Sequence, residues 1–531
     1  MPHQTQERSE LFLARQVEAS IPSALVFLSL RFKGAGRWLA TYPVAMILLG
    51  LPILLLAAST QEPAAAQWPQ FRGPDGNPSV DDAKLPLSFD LEQDLLWRAS
   101  LPSGASSPCI AGDRIFLTGS EGEHLIMLCI QRSTGEELWR RHKKFAPIET
   151  YAHSDVQPAV PTACTDGEQV VFYFGDWGLM AFDVEGEATW ERKLEQPKRA
   201  DFGIGPSPIL VDGKVILNRD GCADSGIVAY GLKDGEELWR LDRPGYGFSF
   251  GTPYVWESSA GRELIVAGTQ RLSGLDLATG AERWFVDRLC AVVCTSPIGT
   301  RENLYFAAWS TGGAEGQELL ESLFGEGVFD AEQVANAAAA FKRLDSNGDG
   351  KVKKEELHPC RAKDAYAIAD RDRNGYWTLD EYDPVHNLAK GRGKNLMVAV
   401  RPGGKGDVSK SHVRWSNRRG IPYVSSPLLH EGRLYLLKTG GLVSCFDPVT
   451  GKAHFDRERL DDRGEYYSTP LGVPGHVLLA SDDGRLYVLK ASDDFKIVSS
   501  FDLGDSIQAT PAIVDGRLYV RTETGLLVFG D

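Results

Sequence analysis

The sequence has little of the residue patterns that mark several common kinds of enzyme. Its ten histidines form no His-Glu-x-x-His motif, and no Gly-x-Ser-x-Gly sequence occurs, so the signatures of zinc proteases and serine hydrolases are missing. Positive charge is also in deficit, with 57 Lys and Arg against 72 Asp and Glu and a formal net charge of −15. Because such a surface repels polyanions, we expect no nucleic-acid partner.

Cysteine is sparse as well, with eight residues scattered along 531 positions. A disulfide scaffold is excluded, because a chain of this length buries enough apolar surface to fold without one. Cys290 and Cys294 are closest in sequence, but four residues of extended strand span about 13 Å, so they could pair only across a turn. We expect buried free thiols.

Long apolar runs are limited to one, from Tyr42 to Ala58, and it is short for a membrane span. Basic residues precede the run and small residues follow it, namely Arg31, Lys33, Arg37 and Ala64-Ala65-Ala66. Residues 1–66 are therefore predicted to be a signal peptide or an uncleaved membrane anchor with an N-terminal extension. No Cys follows the run, so a lipid-attachment signature is missing. We expect an exported protein, periplasmic or otherwise extracytoplasmic, that is secreted or anchored by this segment.

A repeat of about 45 residues runs through the rest of the chain. Each copy has a short apolar strand, a Gly turn and a second apolar strand, and most begin with a Ser/Thr-Pro step. The eight copies begin SSPCIAGDRIFLTG, QPAVPTACTDGEQVVFYFG, GPSPILVDGKVILNRDG, GTPYVWESSAGRELIVAG, CTSPIGTRENLYFAAW, SSPLLHEGRLYLLKTG, STPLGVPGHVLLASDDG and ATPAIVDGRLYVRTETG. About four short strands per copy indicate one propeller blade each.

Many copies end with a Gly a few residues before a Trp, as at Trp139, Trp190, Trp239 and Trp284. We interpret these Trp side chains as packing between blades. The last copy stops without such a strand, whereas residues 94–98 (DLLWR) match the ends of other copies. The prediction is an all-β fold, an eight-bladed β-propeller closed by overlap of the N- and C-terminal strands, which leaves no exposed sheet edge at the join.

These blade starts and T-G-x-x-x-W endings resemble the PQQ-repeat β-propeller family over residues 94–310 and 394–531. The WPQFRGP sequence at residues 68–74, within a lead-in segment 67–93, also looks like the lead-in of exported bacterial members. The family includes quinoprotein dehydrogenases and a scaffold of outer-membrane protein assembly, so the resemblance indicates the fold and leaves the function open.

An insertion, residues 311–393, interrupts the fifth copy and contains helical sequence around two acidic loops. DSNGDGKVKKEE (345–356) and DRDRNGYWTLDE (370–381) both fit the twelve-residue EF-hand loop, which supplies oxygen ligands to Ca²⁺. Gly350 and Gly375 hold the sixth position, where the backbone turns. Val352 and Trp377 are expected to pair the loops through a short β-bridge. The predicted ligands of two Ca²⁺ ions are Asp345, Asn347, Asp349, Lys351, Glu356, Asp370, Asp372, Asn374, Tyr376, Thr378 and Glu381.

Two prolines modify this picture. Pro359 and Pro384 each follow a loop's last Glu by three residues, which predicts short exiting helices. A short, stiff pair opens a groove poorly, so we favour structural calcium over a switch.

Two functions fit the sequence. The first is a protein-binding or scaffold module with an envelope protein as partner, favoured because about 44 residues per blade leave only short loops. The alternative is a PQQ-dependent oxidoreductase of the alcohol or sugar dehydrogenase kind, for which Asp176, Trp177 and Asp220 are candidate polar positions at strand ends. The chain has no adjacent Cys-Cys pair and no Cys-x-x-Cys-His haem motif, so bound PQQ is not favoured.

Overall fold

Strands dominate the structure. The computed structural model describes residues 66–145, 157–195, 203–310, 317–389 and 394–530, apart from gaps at 82–84, 86–88, 90, 223, 244–245, 247–248, 365, 367–369 and 371–373. The predicted export segment lies outside these residues, except for Ala66. Strands dominate the described residues and helices are few, so the all-β prediction is confirmed. All eight cysteines are free thiols, but Cys294 and Cys360 are only half-buried, contrary to expectation.

Eight antiparallel sheets follow one another along the chain, one for each sequence repeat, and form blades 1 to 8. Strands β1 (Ala66–Trp68) and β2 (Leu95–Ser100) come first. Blade 1 contains β3 (Cys109–Ala111), β4 (Arg114–Glu121), β5 (His124–Gln131) and β6 (Glu137–Lys144), and blade 2 contains β7 (Cys164–Thr165), β8 (Gln169–Phe174), β9 (Gly178–Asp183) and β10 (Ala188–Lys193). Blade 3 contains β11 (Ile209–Val211), β12 (Lys214–Asn218), β13 (Gly226–Gly231) and β14 (Glu237–Asp242), and blade 4 contains β15 (Tyr254–Ser258), β16 (Gly261–Gly268), β17 (Arg271–Leu275) and β18 (Glu282–Asp287).

Blade 5 is divided by the insertion. Its four strands are β19 (Ile298–Gly299), β20 (Leu304–Ala308), β23 (Leu396–Val400) and β25 (Val413–Asn417). The insert contributes two short strands of its own, β21 (Val352–Lys353) and β22 (Tyr376–Trp377). Strand β24 (Gly406–Asp407) pairs with the outer edge of blade 4. Blades 6 to 8 contain β26 (Leu428–His430), β27 (Arg433–Lys438), β28 (Leu442–Phe446), β29 (Ala453–Arg459); β30 (Leu471–Val473), β31 (His476–Ala480), β32 (Arg485–Lys490), β33 (Ile497–Asp502); and β34 (Ala512–Val514), β35 (Arg517–Arg521), β36 (Gly525–Phe529).

The ring closes as the repeat predicted. Strand β2 pairs antiparallel with β36, with Leu95 opposite Phe529 and Trp97 opposite Val528, and becomes the outer strand of blade 8. Both chain ends of the propeller therefore belong to one sheet, and the hydrogen bonds of β36 are satisfied by a strand more than 400 residues away in sequence.

Tryptophans at the blade ends lock neighbouring blades together. The indole Nε1 of Trp139 donates to Val184 O at 3.0 Å in the next blade, and its ring lies on Gly186, which has φ +88°. The same arrangement recurs in blades 8, 2 and 5 at Trp97 with Gly135, Trp190 with Gly235, and Trp415 with Gly451. A Cβ on Gly186 would approach the Trp139 ring to 2.7 Å. The Gly in each T-G-x-x-x-W ending is therefore required both for its backbone conformation and for the space above it.

The inner ends of the blades are joined by side-chain hydroxyl groups. The Ser or Thr of the blade start in one blade accepts a hydrogen bond from the backbone N–H of the equivalent residue in the preceding blade. Seven such hydrogen bonds, of 2.9 to 3.1 Å, link Ser107 to Thr162, Thr162 to Ser207, Ser207 to Thr252, Thr252 to Ser296, Ser296 to Ser426, Thr469 to Thr510, and Thr510 to Ser107. The first strand of every blade therefore faces the centre of the ring.

Strand direction defines two faces of the ring. Turns between the first and second strands lie on one face, which we call the turn face. Loops between the second and third strands lie on the opposite face, because neighbouring strands are antiparallel. In blade 5 that loop is the insertion, so we call the second face the insert face. Ser310 and Asn395 join the two ends of the insertion by hydrogen bonds of 3.1 and 2.8 Å.

The insert is helical. Its helices are α1 (Gln317–Phe324), α2 (Ala331–Ala335), α3 (Ala337–Leu344), α4 (Arg361–Asp364) and α5 (Leu379–Ala389), with a 3₁₀ turn at Lys354–Glu356. The first exiting helix is short, as predicted. The prediction of a short second exiting helix was wrong, because α5 continues for five residues beyond Pro384. His386 is fully buried on α5 and its Nε2 lies 2.8 Å from Gln333 O, so tertiary packing holds the helix past the proline.

Aromatic side chains fill the insert's own core. Phe324, Trp377 and Tyr382 are at most 1% exposed and cluster with other residues of segment 320–382. The Tyr366 ring stacks on Trp377 with a centroid distance of 4.6 Å. The insert therefore has a hydrophobic core separate from the cores between the blades.

Candidate functional site

The first predicted calcium loop winds around the carboxylate of Asp345, which follows α3 directly. Its Oδ1 accepts hydrogen bonds from the backbone N–H groups of Gly348 and Asp349 at 2.9 and 3.1 Å, and its Oδ2 accepts one from Gly350 at 2.9 Å. Gly350 has φ +76°, a conformation that glycine adopts without steric cost. The loop backbone is thus turned at the position that the sequence indicated.

Glu356 reaches back from the end of this loop to its beginning. Oε1 accepts hydrogen bonds from the backbone N–H groups of Ser346 and Asn347 at 3.1 and 3.3 Å, and Oε2 accepts one from Lys353 at 2.8 Å. Partial burial acts to raise the pKa of Glu356, but these hydrogen bonds outweigh it and lower the pKa below its ordinary value. The carboxylate is therefore held ionised beside the first residues of the loop.

A lysine competes for one of the predicted ligands. Lys353, at the ninth position, places Nζ 3.4 Å from Asp349 Oδ2, which also accepts a hydrogen bond from Asn347 Nδ2 at 3.2 Å. The Asp349 pKa is lowered, because hydrogen bonds from Asn347 and the Lys353 charge outweigh the effect of burial. A cation bound in this loop would replace the exposed ammonium group of Lys353 as the partner of the ionised Asp349 carboxylate.

The second loop repeats the arrangement of the first. Asp370 Oδ1 and Oδ2 accept hydrogen bonds from the backbone N–H groups of Asn374 and Gly375 at 3.1 and 3.0 Å. Glu381 Oε2 accepts from both the N–H and the hydroxyl of Thr378, at 2.8 and 2.9 Å. Asp370 and Glu381 are each 7% exposed, so this loop is more deeply buried than the first.

The two loops lie back to back. Strands β21 and β22 pair antiparallel, with Val352 opposite Trp377, which is the pairing expected from their equivalent positions. Tyr366 supports it by donating its hydroxyl to Val352 O at 2.6 Å. Lys351 Nζ lies 3.9 Å above the Tyr376 ring, so the seventh-position residues of the two loops also touch.

The predicted ligands do not converge as a preformed carboxylate cage. Among the residues that the structure describes, no group of three or more His, Cys, Asp or Glu side chains is placed to hold a metal ion. The first and last carboxylates of each loop bind backbone N–H groups, and Asp372 lies outside the described residues. The donor set nevertheless suits Ca²⁺, a hard cation that also takes Asn and backbone carbonyl oxygens.

A polar cluster that the sequence barely signalled lies on the insert face of blade 3. Asp220 and Arg243 are both 4% exposed, and Arg243 Nη2 lies 3.1 Å from Asp220 Oδ2. Burial raises the Asp220 pKa to about 6, although the Arg243 charge acts in the opposite direction. Next to Asp220, the buried Arg219 binds Asp224 and donates to Glu195 O at 2.7 Å. The cluster combines buried charge with a carboxyl group that titrates near neutral pH.

Only part of this cluster could be found from the sequence. Asp176, also predicted, is buried at the equivalent loop of blade 2, and Trp177 beside it lies under Lys143, whose Nζ is 4.1 Å from the ring centroid. Arg243 was missed, because it follows β14 at the end of an otherwise ordinary repeat. No spacing in the sequence links Arg243 to Asp220.

The fold is an eight-bladed β-propeller, and part of the chain is similar to BamB-like, PQQ-repeat propellers. Residues 92–204 and 202–287 match the family described as outer membrane protein assembly factor BamB. A curated protein of that name from Bordetella pertussis is 26% identical over 196 residues, which are 35% of this chain and 43% of the relative. The chain therefore spans less than half the length of this relative.

Solved structures of low sequence identity align with the chain. The quinohemoprotein alcohol dehydrogenase from Comamonas testosteroni aligns with a TM-score of 0.52 and 13% identity, covering 89% of this chain and 81% of that one. BamB from Moraxella catarrhalis aligns with a TM-score of 0.48 and 12% identity, covering 82% and 98%. The likeness to the dehydrogenase supports the propeller fold and, at 13% identity, carries no information on activity. Within the described part of the chain, no helix combines the length and the hydropathy that a membrane crossing requires.

Proposed function

We propose that this chain is an exported, calcium-binding propeller that acts as a protein-binding scaffold in the cell envelope, with two Ca²⁺ ions held by loops 345–356 and 370–381. The observation that carries the calcium assignment is the pair of loops wound around Asp345 and Asp370 and joined at Val352 and Trp377. The scaffold assignment is supported by the short loops of the blades and by the likeness to BamB over residues 92–287.

Calcium in this proposal is structural. The interior of the insert is filled by its own aromatic side chains, with Phe324, Trp377 and Tyr382 fully buried. A sensor EF-hand exposes an apolar groove when calcium binds, and that would require these side chains to separate. Calcium would instead stabilise the two loops on either side of the β21–β22 pair and keep the insert rigid on its face of the propeller.

Isothermal titration calorimetry of the full chain tests the calcium assignment. We expect about two Ca²⁺ per chain, one for each loop. Glu356→Gln and Glu381→Gln should each remove one site, because the last Glu supplies both of its carboxylate oxygens. Glu355→Gln and Asp380→Asn change a neighbouring exposed carboxylate that is not a predicted ligand, so both sites should survive. Two sites retained after Glu356→Gln and Glu381→Gln together would refute the assignment.

Capture of partners from an envelope fraction, with and without chelator, tests the scaffold assignment. We expect a defined envelope protein to be retained, with less retained by the Glu356→Gln and Glu381→Gln double variant. If the wild type retains only the proteins that an unrelated propeller also retains, that result would count against a scaffold.

The alternative function is PQQ-dependent oxidation of an alcohol or sugar. The observation in its favour is Asp220, a buried carboxyl group with a pKa of about 6, since a general base works best with a pKa near the working pH. PQQ added to the purified protein with calcium decides between the two functions. Stoichiometric binding with dye-linked oxidation that Asp220→Asn abolishes would replace the scaffold proposal.

A further inference from the structure

The segment Trp68–Val80, which we call the strap, runs across the inner strands of the propeller. Trp68 pairs with Ile110 in blade 1 and is 2% exposed. Pro69 O accepts hydrogen bonds from the Thr165 N–H of blade 2 at 2.9 Å and from Cys109 Sγ at 3.3 Å. Gln70 Oε1 accepts from the Leu210 N–H of blade 3 at 2.9 Å, and further along Gly76 lies against the Tyr254 ring of blade 4.

The second half of the strap is anchored to blades 6 and 7. Asn77 exchanges two hydrogen bonds with the backbone of Leu429, from Nδ2 to O at 2.9 Å and from N–H to Oδ1 at 3.3 Å. Gly472 donates its N–H to Pro78 O at 2.8 Å and accepts from the Val80 N–H at 3.0 Å. The strap therefore adds β-type pairing to inner strands that lie across the ring from its beginning.

Arg72 joins these two halves at the centre. Its side chain is 2% exposed, and Nη1 and Nη2 donate to Pro297 O of blade 5 at 3.3 Å and to Pro427 O of blade 6 at 2.9 Å. Burial lowers the Arg72 pKa to about 10. A buried guanidinium is costly unless its N–H groups find acceptors, and here two carbonyl groups at the starts of inner strands provide them.

Contacts with the inner strands of blades 1 to 7 place the strap across the axis of the ring. Thr165, Leu210, Leu429 and Gly472 lie at or next to the ends of these strands, beside the turns to the second strands. The strap is therefore on the turn face, and only the Arg72 side chain reaches further towards the insert face. A partly open cavity of about 420 Å³ lies between the strap and blades 3 and 4, and strap residues from Gln70 to Gly76 form one of its walls.

We propose that the strap is a built-in plug that closes the central channel at the turn face. This proposal does not rest on the scaffold function proposed above. As a plug, the strap would detach while the blades stay folded. The strap and the closing strand β2 belong to one N-terminal segment, which thereby contacts every blade.

Labelling of native cysteines tests the plug on the full chain. Cys109 is 0% exposed and lies directly under Pro69, whereas Cys445 is 0% exposed in β28 of blade 6. A thiol reagent with residue-level mass spectrometry reports the opening at each position. We expect Arg72→Met to raise the Cys109 labelling rate about tenfold or more, the shift expected when two buried carbonyl acceptors lose their charged donor, with Cys445 unchanged.

Two further variants keep the result interpretable. Asn77→Ala removes the two Leu429 hydrogen bonds from a part-buried position and should raise Cys109 labelling by a smaller factor, which remains readable if Arg72→Met does not fold. Arg219→Met removes an equally buried arginine on the insert face, where it binds Asp224. That control should leave the ratio of Cys109 to Cys445 labelling at its wild-type value.

The labelling result does not depend on calcium or on a partner, so the plug proposal can fail while the scaffold proposal stands. A Cys109 rate that is unchanged in the strap variants, or that rises only together with Cys445, would mean that the strap is an inseparable part of the blades and would overturn the plug. A selective rise at Cys109 supports it.

Discussion

Replacing Trp97 with alanine tests what holds the ring shut. Trp97 is half-buried on the closing strand β2, its ring covers Gly135 of blade 1, and its Nε1 donates to Arg132 O at 3.1 Å. Full burial would make the truncation cost about 3–5 kcal/mol. Half of that, with about 1 kcal/mol for the hydrogen bond, predicts a loss of about 3 kcal/mol in the free energy of unfolding.

The neighbouring Leu96 provides the control. It lies on the same strand and is 40% exposed on the opposite side, so Leu96→Ala should change the stability by less than about 0.5 kcal/mol. Urea unfolding followed by far-UV circular dichroism measures both variants. Equal midpoints for Trp97→Ala and Leu96→Ala would refute the claim that the indole joins blade 8 to blade 1.

A second comparison isolates ring closure from blade packing. Trp190 makes the equivalent contacts between blades 2 and 3, with its Nε1 2.7 Å from Leu232 O. Trp190→Ala should cost a similar free energy. Trp97→Ala alone should also speed hydrogen exchange of the β36 amides, because Trp97 lies on β2, the strand that pairs with β36. Equal exchange of β36 in both variants would show that closure does not depend on the indole.

Two further predictions concern backbone space and buried charge. Gly235 and Gly213 have nearly the same φ, +68° and +69°, but a Cβ would meet the Trp190 ring at 2.5 Å in the first and open space in the second. Gly235→Ala should therefore cost about 1–3 kcal/mol more than Gly213→Ala in urea unfolding, and equal costs would contradict the packing argument. Asp220→Asn should flatten the pH dependence of stability. Because burial raises the Asp220 pKa from 3.8 to about 6, the folded protein binds this proton more tightly, and stability falls as the pH rises through that window. The wild type should lose about 2 kcal/mol relative to the variant between pH 4 and 6, and a difference that grows in the opposite direction would contradict the assignment.

Much of the propeller could be predicted because its determinants are local and repeated. Each Ser/Thr-Pro start, Gly turn and terminal Trp recurs at a fixed spacing, and closure followed from a match between residues 94–98 and the ends of other repeats. The predicted β-bridge between Val352 and Trp377 had the same basis, since equivalent positions of two loops face each other.

The second exiting helix was predicted incorrectly for an equally physical reason. Pro384 removes one helical hydrogen bond, and local rules therefore end the helix there. Burial of His386 against Gln333 O and the packing of Tyr382 more than compensate for that cost. Those partners lie on different helices, so the local sequence could not reveal them.

Sequence alone determined the blades, the join between the two chain ends, and the loops around Asp345 and Asp370, because each depends on a short pattern read within one repeat or one loop. Only the tertiary structure decided where Arg72 goes and which group faces Asp220. Arg72 binds carbonyl groups 225 and 355 residues away, and those groups come together only after the ring has closed. Buried polar groups must find partners wherever the fold brings them, and that choice is made by packing, which no local pattern records.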